Sequence, residues 1–330
     1  MRRWIKIVIL SLLLAGGAGI CALRWQAWFG MPAEPIWTGD TLRYTFPTFA
    51  QDSVSGFVNT KEGWQDTLSP QSLDILVLGD IHNGLQRADY DSLAARVPQA
   101  DFIAQVGDWM DRGQNYYRQL LLREWTAGAL CGLPVITCPG NHEYSKGIDK
   151  TLSPVWSETF PQPDNGPVGV PGKSYYVDFP QLRFIAIDTN PLIRLMYLTR
   201  TLTWLRELMN TAGDRYVVVM MHHPVYSVAK GRFNSLIFAA FHHALSEADL
   251  VIAGHDHSYM RRTPFVVLNT AGHPKTQRYH YQPDFIDTDA TYAVLSIKRS
   301  TVSYQPSPLM LHTYRLSDGK VIDFLYVKHN

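Results

Sequence analysis

Residues 101–113, DFIAQVGDWMDRG, contain a short apolar run of strand length that stops at Gly107 and is followed at once by Asp108, Asp111 and Arg112. A buried strand that leads directly into carboxylates is typical of a functional site, because open α/β sheets bind their ligands at the carboxyl ends of the strands. This stretch therefore predicts a central strand with a functional loop at its end.

The same arrangement recurs at four other places in the chain. The apolar runs ILVLG, VITCPG, YVVVMM and DLVIAG are each followed by side chains that can bind a metal. In chain order these side chains are Asp80 and His82, Asn141 and His142, His222, and His255 and His257. Five strands are thus predicted to deliver Asp, His and Asn to one edge of one sheet.

The residue types indicate divalent metal ions, because imidazole and carboxylate suit transition ions and Asn141 adds a neutral oxygen. So many groups are too many for one ion but fit two ions that share a carboxylate, and Asp108, in the middle of the series, is the natural bridge. Two divalent ions contribute about +4 against the −2 of Asp80 and Asp108. The balance of roughly +2 favours an anionic substrate such as a phosphate ester.

In this order, the blocks GDIH, GDWMDRG, GNHE, HHP and GHDH resemble the calcineurin-like metallophosphoesterases over about residues 73–262. A lone polar residue after a strand is more often a helix cap or a satisfied core group, but five blocks in order reverse that expectation. The resemblance implies one metal held by Asp80, His82, Asp108 and His257, and another held by Asp108, Asn141, His222 and His255. It also implies an α/β fold, a four-layer α/β/β/α sandwich of two mixed sheets with a dinuclear metal site at the carboxyl ends of the strands.

For the reaction, we expect in-line attack on phosphorus by a metal-bridging water or hydroxide. His142, which the resemblance leaves unligated beside the substrate, is the predicted general acid, oriented by the carboxylate of Asp111. Arg112 is predicted either to bind a phosphate oxygen through two parallel donors or to form a salt bridge with a nearby carboxylate. His223 follows the predicted ligand His222 directly, and adjacent residues on a strand point to opposite faces. His223 is therefore predicted to have a structural role or to contact the metal ligands without binding the metal itself.

The blocks resemble two branches of the family. GDWMDRG is similar to the phosphoprotein phosphatases, whereas YYVDF, FIAIDTN and GHDHSYMRR are similar to the purple acid phosphatases. The tyrosine that binds ferric iron in the purple enzymes lies three residues after the bridging aspartate, where this chain has Asp111. We therefore expect two divalent ions, Mn²⁺, Fe²⁺ or Zn²⁺.

The predicted activity is phosphate ester hydrolysis with monoesters favoured over diesters, on a phosphorylated substrate of unknown class. The alternative is a metal-binding receptor or scaffold module without catalysis.

The chain starts with MRRWIK, followed by an uncharged apolar run over residues 7–23. Seventeen residues at the helical rise cover about 26 Å, the lower limit for a membrane span. The run is flanked by aromatic residues suited to a membrane interface, Trp4, Trp25 and Trp28. Residues 1–30 are therefore predicted to anchor the protein in a lipid bilayer, with the catalytic domain on the periplasmic or extracellular face. A cleaved signal peptide that releases a secreted protein is the alternative.

The rest of the chain is predicted in outline. Residues 31–72 lack steady periodicity and are predicted to be a linker or irregular strands packed on the body, and residues 73–330 are predicted to be the metallophosphoesterase domain. After His257 a block of strands without helices predicts a second sheet packed against the first. Helices are predicted over residues 89–97, 115–130, 198–209 and 233–247. The net charge of +1 provides no basic field, so nucleic-acid recognition is not expected.

Overall fold

The structure is a computed structural model. It describes residues 53–54, 57–60, 63–66, 72–82, 84–112, 130, 133, 135–146, 150–160, 162–179, 181–230, 232, 236–270, 283–298 and 308–329. The predicted anchor and most of the predicted 115–130 helix lie outside the described residues. Among the residues that are described, no helix is both long enough and apolar enough to cross a bilayer.

Strands and short helices alternate along the described chain. The strands are β1 (Ser53–Val54), β2 (Phe57–Thr60), β3 (Gly63–Asp66), β4 (Ser72–Leu78), β5 (Phe102–Gln105), β6 (Val135–Thr137), β7 (Tyr175–Asp178), β8 (Leu182–Ile187), β9 (Tyr216–Met221), β10 (Leu250–Ala253), β11 (Tyr259–Arg262), β12 (Phe265–Val267), β13 (Phe285–Asp287), β14 (Thr291–Lys298), β15 (Leu309–Arg315) and β16 (Val321–Val327). The helices are α1 (Arg87–Arg96), α2 (Pro154–Thr159), α3 (Leu195–Asn210) and α4 (Leu236–Leu245), with a 3-10 helix at Pro191–Ile193.

These strands form two mixed sheets. The ten-stranded sheet has the order β1-β2-β3-β7-β8-β9-β10-β12-β11-β13, and the six-stranded sheet has the order β16-β15-β14-β4-β5-β6. In the ten-stranded sheet β8, β9, β10 and β12 run parallel, and in the six-stranded sheet β4, β5 and β6 do so. The segment before residue 72, predicted to be a linker or irregular strands, contributes β1, β2 and β3 to one edge of the ten-stranded sheet.

The core lies between the two sheets, and a second apolar layer lies under the helices. Phe184 and Val218 belong to the buried cluster shared with the six-stranded sheet. Their neighbours Ile185 and Val219 belong to the cluster that includes residues of α3 and α4. This alternation is expected, since successive side chains of a strand point to opposite faces. With α1 packed through Leu93 into the first cluster, the predicted α/β sandwich of two mixed sheets is confirmed.

The assignment of strands to sheets differs from the prediction. The site strands do not share one sheet, because β4, β5 and β6 lie in the six-stranded sheet while β9 and β10 lie in the ten-stranded sheet. The C-terminal strands β14, β15 and β16 do not form a separate sheet either, because β14 pairs antiparallel with β4. Apolar strands that are buried on both faces look alike in sequence, so their pattern does not reveal their partners. An isolated bridge between Asp80 and Asn269 joins the chain beyond β4 to the chain beyond β12.

Candidate metal centre

All seven predicted ligands converge where strands of the two sheets end. Asp80 and His82 follow β4, Asp108 follows β5, Asn141 follows β6, His222 follows β9, and His255 and His257 follow β10. Five of them are buried: Asp80, Asp108, His222, His255 and His257. Their donor atoms form two groups that share one carboxylate.

The first group consists of Asp80, His82, His257 and Asp108. His82 Nε2 lies 3.1 Å from His257 Nε2 and 3.5 Å from Asp108 Oδ2. Asp80 Oδ1 lies 3.9 Å from Nε2 of each of these two histidines. Ligand atoms that surround one ion at about 2.1 Å lie roughly 3–3.5 Å from one another, so the donor set fits an ion after small adjustments at Asp80.

The second group surrounds His222 Nε2. This atom lies 3.0 Å from His255 Nδ1, 3.2 Å from Asn141 Oδ1 and 3.2 Å from Asp108 Oδ2. Asp108 Oδ2 is therefore close to donor atoms of both groups. This is the position that a bridging carboxylate requires.

Backbone groups orient the predicted ligands. His222 Nδ1 lies 2.9 Å from the carbonyl oxygen of Val106, so an Nδ1–H can donate to it and leave the Nε2 lone pair directed at the donor group. The backbone N–H of His142 donates to Asp108 Oδ1 at 2.9 Å, and that of His255 donates to both oxygens of Asp80. These contacts leave Asp108 Oδ2 available for the two groups.

The backbone is strained at the site. Among the described residues, the non-glycine residues with positive φ are His82, Asp108, His255 and His257, with φ between 50° and 72°. This left-handed region costs about 1 kcal/mol or more for such a residue, and it is occupied where surrounding contacts enforce it, often at functional sites. Here all four strained residues are predicted metal ligands.

Two glycines make the close approach of the loops possible. Gly107 has φ of 91°, and a Cβ there would lie 2.8 Å from His222 Nδ1. A Cβ on Gly140 would overlap Asp108 Oδ1. Any larger residue at these positions would push apart the loops that bring Asp108, Asn141 and His222 together.

Burial and charge set the protonation of the two central histidines. Burial, offset only in part by Asp108, lowers the pKa of His82 to about 3, so its ring is neutral at pH 7. Burial also acts to lower the pKa of His222, but Asp108 and Asp80 outweigh it and raise that pKa to about 9. His222 therefore carries a proton at pH 7 that metal binding must displace.

His142 lies at the open side of the site, with its side chain 36% exposed. Its Nδ1 lies 2.6 Å from the backbone oxygen of Asp111, whereas the nearer carboxylate oxygen of Asp111 is 3.6 Å away. The predicted carboxylate partner is thus replaced by a backbone carbonyl. An Nδ1–H that donates to this carbonyl leaves Nε2 as the atom that can exchange a proton with a substrate.

The other two predicted residues lie at the margin of the site. Arg112 is exposed, and no carboxylate among the described residues forms an ion pair with it. β9 ends at Met221, so strand alternation does not apply to His223, and its structural or supporting role stays a prediction. The ring centroid of His223 lies 4.3 Å from that of His255, and His223 Nδ1 lies 2.7 Å from Thr189 Oγ1.

Glu143 is a buried residue to which the sequence argument assigned no role. Its carboxylate accepts backbone N–H groups from Asp108 at 2.9 Å, from Gly140 at 2.7 Å and from Met110 at 3.2 Å. Burial and the charge of Asp108 raise its pKa, whereas the backbone N–H groups of Met110 and Asp108 act to lower it. Glu143 therefore fastens the Asp108 loop to the Asn141 loop. Glu143 is the last residue of the GNHE block, so the motif already contained it.

Glu143→Gln is expected to lower metal affinity by about tenfold to a hundredfold. The Gln amide offers one acceptor oxygen, so its NH₂ group must face at least one backbone N–H, which loosens the contact between the two loops. Titration calorimetry with Zn²⁺ or Mn²⁺ measures this change. Glu158→Gln, on an exposed carboxylate of α2, is the matched control. An unchanged metal affinity in Glu143→Gln would show that Glu143 does not position the loops that carry the metal ligands.

A family model described as calcineurin-like phosphoesterase matches residues 73–259. The chain belongs to this family. Family membership and the His and Asp clusters together support divalent metal binding and a metal-dependent phosphoesterase. No curated protein sequence matches this phosphoesterase significantly.

Solved structures share the fold of this phosphoesterase. A purple acid phosphatase, PPD1 from yellow lupin (Lupinus luteus) seeds, matches with a TM-score of 0.57 and 15% identity over 80% of this chain and 56% of its own. This chain therefore spans little more than half the length of the lupin protein. GAP50, the anchor in the inner membrane complex of Plasmodium, matches with a TM-score of 0.52 and 17% identity over 78% of this chain and 89% of its own. At these identities the likeness concerns the fold.

Proposed function

We propose that this phosphoesterase hydrolyses phosphate monoesters at a dinuclear metal centre whose two ions share Asp108. The observation that supports this most is the position of Asp108 Oδ2, 3.5 Å from His82 Nε2 and 3.2 Å from His222 Nε2. When bound, Mn²⁺, Fe²⁺ or Zn²⁺ ions would supply the positive charge that holds phosphoryl oxygens and the activation of the attacking water.

The residues of the chain account for substrate orientation and proton transfer. His142 gives a proton from Nε2 to the leaving oxygen while Asp111 holds Nδ1–H through its backbone carbonyl, 2.6 Å away. Arg112, exposed directly after Asp111, binds a phosphate oxygen of the substrate. A monoester dianion matches the charge of roughly +2 that two divalent ions leave after Asp80 and Asp108, and a diester monoanion matches it less well.

We also propose that residues 1–30 hold the protein in a bilayer with the catalytic domain outside the cytoplasm, on the evidence of the basic start and the apolar run. Recovery of the full chain in the membrane fraction after a high-salt wash supports the anchor. Release into the periplasmic or culture fluid supports the cleaved signal peptide instead.

Metal reconstitution tests the proposed reaction. Treatment with a chelator is expected to abolish hydrolysis of aryl phosphate monoesters, and added Mn²⁺ is expected to restore it, because every ligand comes from the chain and the donor atoms are already grouped. The loaded protein should show no strong visible band, since Asp111 cannot form the phenolate-to-iron charge transfer of the purple enzymes. An intense purple band would contradict the ligand assignment.

The same assay separates catalysis from a scaffold role. GAP50 shares the fold and is described as an anchor, so a metal-binding module without catalysis is the second candidate. A protein that binds two ions per chain but hydrolyses neither monoesters nor diesters would favour the scaffold.

A further inference from the structure

Four large apolar side chains are exposed together near the start of α3. Ile193, Leu195 and Met196 are 76%, 73% and 52% exposed, and Val168 is 91% exposed. The loop of Val168 lies against α3, because Arg200 Nη1 donates to the backbone oxygen of Gly169 at 3.0 Å. Arg200 follows Met196 by four residues and so lies on the same face of the helix. We call Val168, Ile193, Leu195 and Met196 the apolar patch.

Most charges around the apolar patch are positive, and the exposed Asp164 in the loop of Val168 pairs with Lys173 at 3.3 Å. Residues 189–206 contain Arg194, Arg200 and Arg206 and no Asp or Glu. Arg194 and Arg200 are exposed beside the apolar side chains. Protruding aliphatic residues flanked by cations are typical of surfaces that insert at the boundary between acidic lipid headgroups and acyl chains.

A second copy of the chain fits this surface less well. In a two-fold dimer the same patch meets itself, which would bring the arginines of one copy towards those of the other. A bilayer with acidic headgroups supplies the opposite charge instead. The predicted anchor at residues 1–30 would also hold the domain close to such a bilayer. The apolar patch therefore needs only a weak affinity of its own for the lipids.

The segment that leads into the apolar patch contacts loops of the metal centre. Asn190, directly before the 3-10 helix that ends at Ile193, donates its Nδ2–H to the backbone oxygen of Gly140 at 3.2 Å. Gly140 immediately precedes the predicted ligand Asn141. Thr189 contacts His223 beside the second donor group. The segment that carries Ile193 is therefore joined through Asn190 and Thr189 to the loops of the metal centre.

We propose that the apolar patch docks onto an acidic phospholipid bilayer and presents the metal centre to phosphate monoesters carried by lipids. The docking proposal rests only on the apolar patch and the charges around it. The substrate class rests on the proposed function.

Lipid quenching tests the docking without any catalytic assay. The full chain, with Cys21→Ser and Cys131→Ser, is labelled with a bimane fluorophore at Leu195→Cys or, as control, at Val321→Cys on β16, where the native valine is also exposed at 55%. Each protein is reconstituted into phosphatidylcholine vesicles with or without phosphatidylglycerol. Brominated lipids should quench the fluorescence of the label at position 195 but not at position 321. The quenching at position 195 should be stronger in vesicles that contain phosphatidylglycerol. Equal quenching at both positions, or none at 195, overturns the proposal. If the labelled protein shows no quenching and the unlabelled Leu195→Cys protein forms a 195–195 disulfide on mild oxidation, the patch belongs to a second copy and the proposal is overturned.

Activity on two monoesters tests the substrate class. The variant Ile193→Ser/Leu195→Ser/Met196→Ser should hydrolyse phosphatidic acid in these vesicles about tenfold more slowly or worse, with nitrophenyl phosphate hydrolysis unchanged. The control Val321→Ser/Tyr326→Ser should lose neither activity. If the wild-type protein cleaves nitrophenyl phosphate but not phosphatidic acid, the proposed lipid substrate is wrong and the proposed phosphatase activity stands. Wild-type protein that cleaves neither would remove the proposed function, and the quenching experiment would still decide the docking.

Discussion

Asp108→Asn is expected to lower kcat/KM for phosphate monoesters by at least about a thousandfold, equivalent to about 4 kcal/mol of transition-state stabilisation. The reason is that Asp108 Oδ2 lies near donors of both groups, at 3.5 Å from His82 Nε2 and 3.2 Å from His222 Nε2. An amide at this position supplies no negative charge and can direct an NH₂ group at the ions. Both sites are expected to weaken, whereas loss of a ligand that belongs to one group weakens one site.

Metal content and turnover measured on the same preparations check this prediction. Purified Asp108→Asn should contain fewer than two ions per chain by elemental analysis. Asp101→Asn is the matched control, since Asp101 lies at the opposite end of β5 and its carboxylate accepts the backbone N–H of Asp74 at 2.7 Å, which an amide oxygen can also do. Two retained ions with near-normal turnover in Asp108→Asn would show that Asp108 is not the bridge.

The convergence of the predicted ligands was visible in the sequence because each ligand is placed by a local feature. A buried strand ends, a glycine permits a tight approach, and the next residues face the carboxyl end of the sheet. Gly107 and Asp108 show this pattern, as do Gly254 and His255. Five repetitions at strand ends were enough to assemble the set without knowing which strands are neighbours.

Strand pairing and the supporting contacts could not be predicted in this way, because they depend on residues far apart in the chain. β14 pairs with β4 across more than two hundred residues, matching Val294 with Leu76. Nothing in the local pattern of either strand specifies this partner. The contacts of Glu143 were hidden for a related reason. Its acceptors serve backbone N–H groups, which are the same in every residue except proline and leave no trace in a sequence.

His142→Ala is expected to keep both ions but to lower kcat by about a hundredfold to ten-thousandfold on alkyl phosphates. His142 belongs to neither group of four predicted ligands, so metal content should be unchanged. An alkoxide leaves poorly without a proton, whereas nitrophenolate leaves without one. The loss on nitrophenyl phosphate should therefore be much smaller than the loss on an alkyl ester.

Two further variants make this comparison specific. His243→Ala, which removes a histidine side chain that is 84% exposed on α4, should leave both substrates unaffected. Asp111→Asn should cost little on either ester, because the atom that holds His142 Nδ1 at 2.6 Å is the backbone oxygen of Asp111, which the substitution keeps. A large loss in Asp111→Asn would instead give the carboxylate the orienting role. Equal losses on alkyl and nitrophenyl esters in His142→Ala would show that His142 does not protonate the leaving group, since only a proton donor distinguishes the two substrates in this way.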